Sequence, residues 1–255
     1  MKLTPARTRL ASVALLFVLL AGWELASRGL GLSALVLPPP SAVAQSLWRG
    51  LASGYFWPHI LATGTELLGG LAIGCLVGFT SGVAMAESPL LNRLLKPYVV
   101  VSQVIPKLAL MPLFIVWFGF GMTSTVVITA LICFFPLMEN TVTGLQQVDP
   151  QRLELFRMLG ATRRQTLLRL KLPAGLPGIL AGLRVAVVLA LVGAVVGEFI
   201  GASEGLGALI IASQGMMDTP LMFAVLVLIA ALGMLLYEVT VAIEKRLLRP
   251  YTRIS

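Results

Sequence analysis

The chain has 255 residues, 58% of them hydrophobic and only 12% charged, with a formal net charge of +8 and a mean hydropathy of +0.94. Soluble domains carry about 25% charged residues, so this composition excludes an ordinary water-soluble fold and indicates a body that faces lipid. In such a chain a basic excess belongs to cytoplasmic loops rather than to a nucleic-acid surface.

Crossing the hydrocarbon takes about 20 mostly apolar residues. Six stretches qualify in chain order: 10–27, 61–86, 98–118, 124–145, 178–201 and 220–243. Backbone in lipid must satisfy its own hydrogen bonds, and nothing alternates with period two as a barrel strand would. The expected fold class is therefore all-α membrane protein with six transmembrane helices, a single domain over 1–255. Lys2, Arg7 and Arg9 before LASVALLFVLLAGW imitate a signal peptide, but no small-x-small site follows, so a retained first helix is expected. With the N-terminus inside, fifteen Lys and Arg, from Lys2 to Arg253, fall on cytoplasmic segments; only Arg28 and Arg49 fall outside. Both termini are accordingly predicted to be cytoplasmic.

Between spans one and two, LPPPSAVAQSLWRGLASGYFWPH offers Ser41 as the cap of a short helix, and Trp48, Tyr55 and Trp57 suit the headgroup region. His59, the single histidine, is expected to be structural. Gly70, Gly74, Gly78 and Gly82 line one face of span two, and Gly193, Gly197 and Gly201 do so in span five. Such stripes let another backbone approach closely, within the chain or from a second subunit. Cys75 and Cys133 lie in apolar runs as small hydrophobes, with neither disulfide nor metal-ligand spacing.

Residues 150–173 are a basic hairpin between apolar runs. Asp149 caps a first helix with Pro150 in its opening turn, Gly160 ends it, and Thr162 with Gln165 forms a capping box for a second. Pro173 and Pro177 are expected to break or bend the chain before span five. Leu153, Leu155, Phe156, Met158 and Leu159 make the first helix apolar for a solvated loop. It either enters a groove on a partner or lies flat in the headgroups with its arginines on anionic lipid.

The run Glu154, Leu155, Phe156, three residues, Gly160, nine residues, Leu170, Lys171, Leu172, Pro173 resembles the EAA loop of permease subunits of ABC importers. That pattern is Glu-Ala-Ala, three residues, Gly, nine residues, Ile, any residue, Leu-Pro; Leu155 and Phe156 replace the alanines, and Leu170 the isoleucine. LPPPSAVAQSLW, IPKLALMPLFIVWFGFG, FFPLMENTVTGLQQVDP and VVGEFIGASEGLGALI resemble the nitrate/sulfonate/taurine branch, with the core homologous region at about 60–245. The resemblance implies a homodimer of permease subunits, a cytoplasmic ABC ATPase dimer and an extracytoplasmic solute-binding protein. It implies no cofactor, metal or catalytic residue in this chain, and a place in the bacterial inner membrane. It also implies that Glu154, Leu155, Phe156, Met158, Gly160, Ala161, Thr162, Arg163 and Arg164 couple to the ATPase. In agreement, no phosphate-cradling G-x-x-x-x-G-K-[ST] run is present. The stretch from Ser102 to Gly121 looks closer to importers of thiamine-pyrimidine precursors or riboflavin than to sulfonate carriers.

Ionisable groups inside the membrane cost several kcal/mol or more, so each is a functional candidate. Gln103, Lys107, Glu139 and Asn140 are expected to line the pathway; the alternative is a Lys107–Glu139 ion pair joining spans three and four. Pro106 and Pro112 disturb the helix beside Lys107. Glu198 is a candidate outer gate or an interfacial anchor, while Glu24, Glu66 and Glu238 are expected to be solvated. Two rivals remain: an ion-coupled secondary transporter without an ATPase, for which no internal repeat is found, and a hydrolase using Ser203 in GASEG.

Overall fold

The computed structural model describes residues 5–29, 33 and 35–249, with side chains from residue 11 onward. Lys2 and Arg253, and the side chains of Arg7 and Arg9, lie outside the described residues. Among the described residues there is no strand. In chain order come α1 (Pro5–Gly29), α2 (Pro40–Ala52), α3 (Trp57–Glu87), α4 (Pro89–Val104), α5 (Met111–Phe118), α6 (Met122–Gln146), α7 (Pro150–Met158), α8 (Arg163–Thr166), α9 (Leu172–Gly201), α10 (Leu206–Gly215) and α11 (Thr219–Leu248). Among the described residues five helices are long and apolar enough to cross a membrane, and a bent helix pair makes a sixth span, a broken one, if it is taken as one.

The broken span is the third. The sequence predicts one helix over 98–118, but α4 and the stretch from Lys107 to Phe118 meet at an angle of 84°. Ile105 and Pro106 are extended, a 3₁₀ turn covers Lys107–Leu110, and α5 comes next with Pro112 in its first turn. Proline can neither donate to the preceding turn nor avoid its carbonyl, and extended Ile105 is the conformation that a following proline favours. Gly119 and Gly121, at φ of 81° and 104°, then reverse the chain into α6.

α6 is the central rod. Gly70, Gly78 and Gly82 of α3 press on it so closely that a Cβ at these positions would stand 2.5 Å from Thr129 Cβ, 2.6 Å from the Phe134 carbonyl oxygen and 2.7 Å from Thr141 Cβ. From the other side a Cβ at Gly193 or Gly197 of α9 would lie 3.1 Å from Thr129 Cα or 2.9 Å from Thr125 Cγ2. Both stripes therefore pack within the chain rather than against a second subunit. In lipid such close backbone contact replaces the hydrophobic effect as the source of association. Leu67, Cys133, Leu137, Ala190 and Ala194 fill the seam, and Cys75 packs beside them. Both cysteines are free.

The remaining elements frame this three-helix core. α2 does not start on a Ser41 cap: Pro39 precedes the helix, and Glu24 of α1 takes the Ser41 N–H at 3.0 Å and hydroxyl at 2.8 Å. Glu24 is thereby hydrogen-bonded while remaining at the solvent-exposed surface, and Glu238 is exposed. α1 also meets the bundle through the Trp23 and Phe223 rings at 5.6 Å. At the hairpin end of the bundle, Gly144 of α6 packs on Gly175 of α9; at the far end the Gly121 N–H donates to the Gly201 carbonyl at 2.6 Å.

Candidate functional site: a capped hairpin beneath a polar cavity

The hairpin carries the predicted local structure. Asp149 accepts the Gln151 N–H at 2.9 Å to start α7. At its end Gly160 has φ of +69°, its N–H donates to the Arg157 carbonyl, and the Ala161 N–H donates to the Phe156 carbonyl, both at 3.0 Å. That paired pattern is a Schellman turn. A Cβ at Gly160 would meet nothing within 4 Å, so glycine is required for its torsion and not for space. Thr162 and Gln165 form the reciprocal box at 3.3 and 2.8 Å.

Beyond that box the chain departs from expectation. Pro173 and Pro177 do not interrupt it: residues Arg163–Gly201 form one 39-residue helix. The turn Leu167–Lys171 is π-helical, with the Leu172 N–H reaching five residues back to Leu167. This widened turn, just ahead of Pro173, accommodates the missing donor and the ring.

Around the hairpin, Leu155, Met158 and Leu159 are exposed at helical spacing, Met158 by 84%. Phe156 and Ala161 are half-buried, and Glu154, Arg163 and Arg164 are exposed. Lys171 Nζ lies 2.6 Å from Glu87 Oε1, an ion pair that sequence reasoning missed because its members are on different elements.

Above the hairpin, Gln103, Lys107, Glu139 and Asn140 line one cavity of about 590 Å³, together with Ile105, Pro106, Phe135, Pro136, Leu189 and Val192. The break between α4 and α5 places Gln103 and Lys107 on this wall; α6 supplies Glu139 and Asn140. Lys107 Nζ stands 4.7 Å from the centroid of the Phe135 ring, within cation–π range. Among the described residues Lys107 and Glu139 form no ion pair. Asn140 Nδ2 donates to the Pro136 carbonyl at 2.8 Å. A second cavity of about 200 Å³ shares Gln103 and Glu139 and continues toward the hairpin end past Lys96, Asn92, Thr143 and Gln146. Phe135, Thr143 and Gln146 had no sequence signal beyond helical spacing from Glu139, and Lys96, on α4, had only its place on a basic cytoplasmic segment.

At the far end, Glu198 is buried, 1% exposed, and engaged rather than at an open mouth. It accepts the Gly207 N–H at 2.5 Å and a backbone bond from Ala208. Thr63 Oγ1 accepts the Leu206 N–H at 2.8 Å, and His59 Nδ1 lies 3.1 Å from the Gly205 nitrogen. Side chains of α3 and α9 thus hold the first turn of α10. Glu66, expected in solvent, is 3% exposed. His59 is structural. Ser203 is exposed on the turn after α9, not on a strand-to-helix elbow, so GASEG is a glycine-containing turn and no nucleophile site.

Apolar rods around a polar cavity, ending in a rigid capped hairpin, define a multi-pass transport protein. Residues 70–249 match the family of binding-protein-dependent transport system inner membrane components, and the chain belongs to that family. It is 38% identical over 234 residues to the riboflavin transport system permease protein RibX of Chloroflexus aurantiacus, spanning 92% of this chain and 87% of the relative. It is 36% identical to the formylaminopyrimidine transport permease protein ThiX of Halalkalibacterium halodurans (91% and 92%). It is 32% identical to the taurine transport system permease protein TauC of Escherichia coli (92% and 88%). A chain of the MetNI methionine ABC transporter in an inward-facing conformation superposes with a TM-score of 0.67 at 20% identity, over 74% of this chain and 94% of that one. The chain is a multi-pass inner-membrane permease subunit of a binding-protein-dependent ABC importer, and the ion-coupled alternative is set aside.

Proposed function

We propose that this permease works as a homodimer, with both termini cytoplasmic, and that its hairpin carries the stroke of a separate ATPase dimer to the spans. What carries the reading is the hairpin's fixed geometry: a Schellman turn, two caps and an exposed Leu155–Met158–Leu159 patch on a polar element. An apolar helical patch among exposed charges suits a groove on a partner. Glu154, Arg163 and Arg164 supply polar contacts around it, and Phe156 with Ala161 closes the turn. ATP hydrolysis belongs to the partner, and a solute-binding protein delivers cargo at the far end.

The two joined cavities are the translocation route, with Gln103, Lys107, Glu139 and Asn140 along it. The cargo is a small polar solute of the nitrate, sulfonate and taurine kind or of the thiamine-pyrimidine and riboflavin kind. Lys107 beside the Phe135 face favours the second, a planar heteroaromatic with carbonyl acceptors: one group stacks and the other donates. The relatives named for riboflavin and formylaminopyrimidine support it.

The test is reconstitution in proteoliposomes with the cognate ATPase and binding protein. ATP-dependent uptake of a flavin or aminopyrimidine, abolished by Gly160→Val while the ATPase alone stays active, is expected. Uptake that persists without the ATPase would overturn the coupling assignment, and transport of taurine alone would overturn the preference for a heteroaromatic cargo.

A further inference from the structure

A groove between α9 and α11 meets the pathway cavity only at Leu189. Its volume is about 450 Å³, and it is lined by Ala181, Arg184, Val185, Val188 and Leu189 of α9 and Tyr237 of α11. Val185, Val188 and Tyr237 are 49%, 48% and 40% exposed, so the chain itself leaves this wall open. Arg184 is 37% exposed there, with its Nε 3.0 Å from Glu244 Oε2. That pair is ionic without being hydrogen-bonded. Nε has no aligned acceptor, and among the described residues no other nitrogen of this guanidinium has one. Tyr237 brings a hydroxyl donor to the same groove.

Depth decides what can fill the groove. Counted back from Gly201 along α9 and forward from Thr219 along α11, the roughly 20 residues that a bilayer takes end at about residues 182 and 238. Arg184 and Tyr237 therefore both stand at the membrane boundary on the hairpin side. The Cα–Cβ bonds of a helix tilt toward its N-terminus, which for α9 is the hairpin end. Arg184 thus reaches for the headgroup layer, while Val185, Val188 and Leu189 stay at acyl depth. Lys245 and Arg246, exposed just past Glu244, lie on the water side. Arg184, Lys245 and Arg246 outweigh Glu238 and Glu244, so the local balance is positive. Unaccepted guanidinium donors beside an apolar wall call for an anionic oxygen carried on a hydrocarbon chain.

We propose that the groove between α9 and α11 binds an anionic phospholipid of the hairpin-side leaflet. Its phosphodiester oxygens accept from the Arg184 guanidinium, and an ester carbonyl accepts from the Tyr237 hydroxyl. The upper part of an acyl chain lies on Val185, Val188 and Leu189. Glu244 holds the guanidinium at the groove and leaves its remaining donors to the phosphate.

The intact chain, purified in an uncharged detergent and stripped of lipid, is titrated with phosphatidylglycerol. A saturable rise of about 2–4 °C in its unfolding midpoint is expected. Phosphatidylcholine should give a smaller shift, and inorganic phosphate none. The double variant Arg184→Gln with Glu244→Gln removes the guanidinium without stranding its carboxylate, and should lose the preference for phosphatidylglycerol. Tyr237→Phe should weaken binding about three- to tenfold. Arg49→Gln, which alters an exposed cation at the opposite end, should bind as the wild type does. Native mass spectrometry of the wild type in an equal mixture of the two lipids should retain phosphatidylglycerol, a readout that needs no variant to fold. Equal retention of phosphatidylcholine overturns the proposal, leaving an acyl groove without a headgroup site. So does a matching shift from inorganic phosphate, which would make this an anion site without a lipid. A Val188→Cys variant that cross-links to itself, where the wild type does not, overturns it too, by seating a second copy in the groove.

Discussion

Lys171 Nζ and Glu87 Oε1, 2.6 Å apart, tie the π turn at the base of the hairpin to the last turn of α3, with side chains 19% and 26% exposed. Glu87 sits at a helix C-terminus, where the backbone dipole disfavours an anion, so the lysine also offsets a local cost. Breaking the pair by Lys171→Met or Glu87→Gln should weaken stability by on the order of 1 kcal/mol, since the groups are partly solvated. The charge-swapped double variant should recover most of this. A double-mutant cycle on unfolding midpoints checks it; additive effects of the single variants would show that the pair contributes nothing.

Gly160→Ala should weaken the hairpin by about 1–2 kcal/mol, because a Cβ is strained in the left-handed region whatever space surrounds it. Gly160→Asn should be tolerated better. Both should insert normally, and ATPase stimulation by loaded binding protein should fall in the order Gly, Asn, Ala, Val. Equal stimulation in all four would remove the turn from coupling.

Gly64 and Gly78 lie on one helix with opposite surroundings. A Cβ at Gly64 meets nothing within 4 Å, whereas one at Gly78 would be 2.6 Å from the Phe134 carbonyl oxygen. Gly64→Ala should be neutral or slightly stabilising, and Gly78→Ala should cost roughly 1–3 kcal/mol through the forced separation of α3 and α6. Thermal unfolding in detergent separates the two outcomes, and similar midpoints would contradict the packing described.

Lys107 has no carboxylate partner among the described residues and faces Phe135 across the cavity. Lys107→Met should therefore change stability by less than about 1 kcal/mol while reducing uptake at least tenfold. Severe destabilisation with normal residual transport would make the residue a packing element.

How much of the architecture is written locally is uneven. The hairpin was legible because Asp149, Gly160, Thr162 and Gln165 act on their own neighbours within a few residues. The cavity wall was legible because Gln103, Lys107, Glu139 and Asn140 are costly in lipid wherever they do not meet a cavity. Pro106 signalled a disturbance, but the 84° bend also depends on how α5 packs, which no local pattern carries. Pro173 misled for the opposite reason: a single widened turn absorbs it, and that adjustment leaves no mark in residue type. Glu66 and Glu198 look alike in sequence to other carboxylates near span ends. Their burial is created by the meeting of α3, α9 and α10.

The unbroken helix from Arg163 to Gly201 has a mechanical corollary. At about 1.5 Å per residue its 39 residues make a shaft roughly 58 Å long. A tilt of about 10° around its midpoint carries each tip sideways by about 5 Å, in opposite directions. Provided that the π turn at Leu167–Lys171 and the turn at Pro177 keep their geometry, a push at the Thr162 end arrives beside Glu198 as a displacement of comparable size and reversed sense.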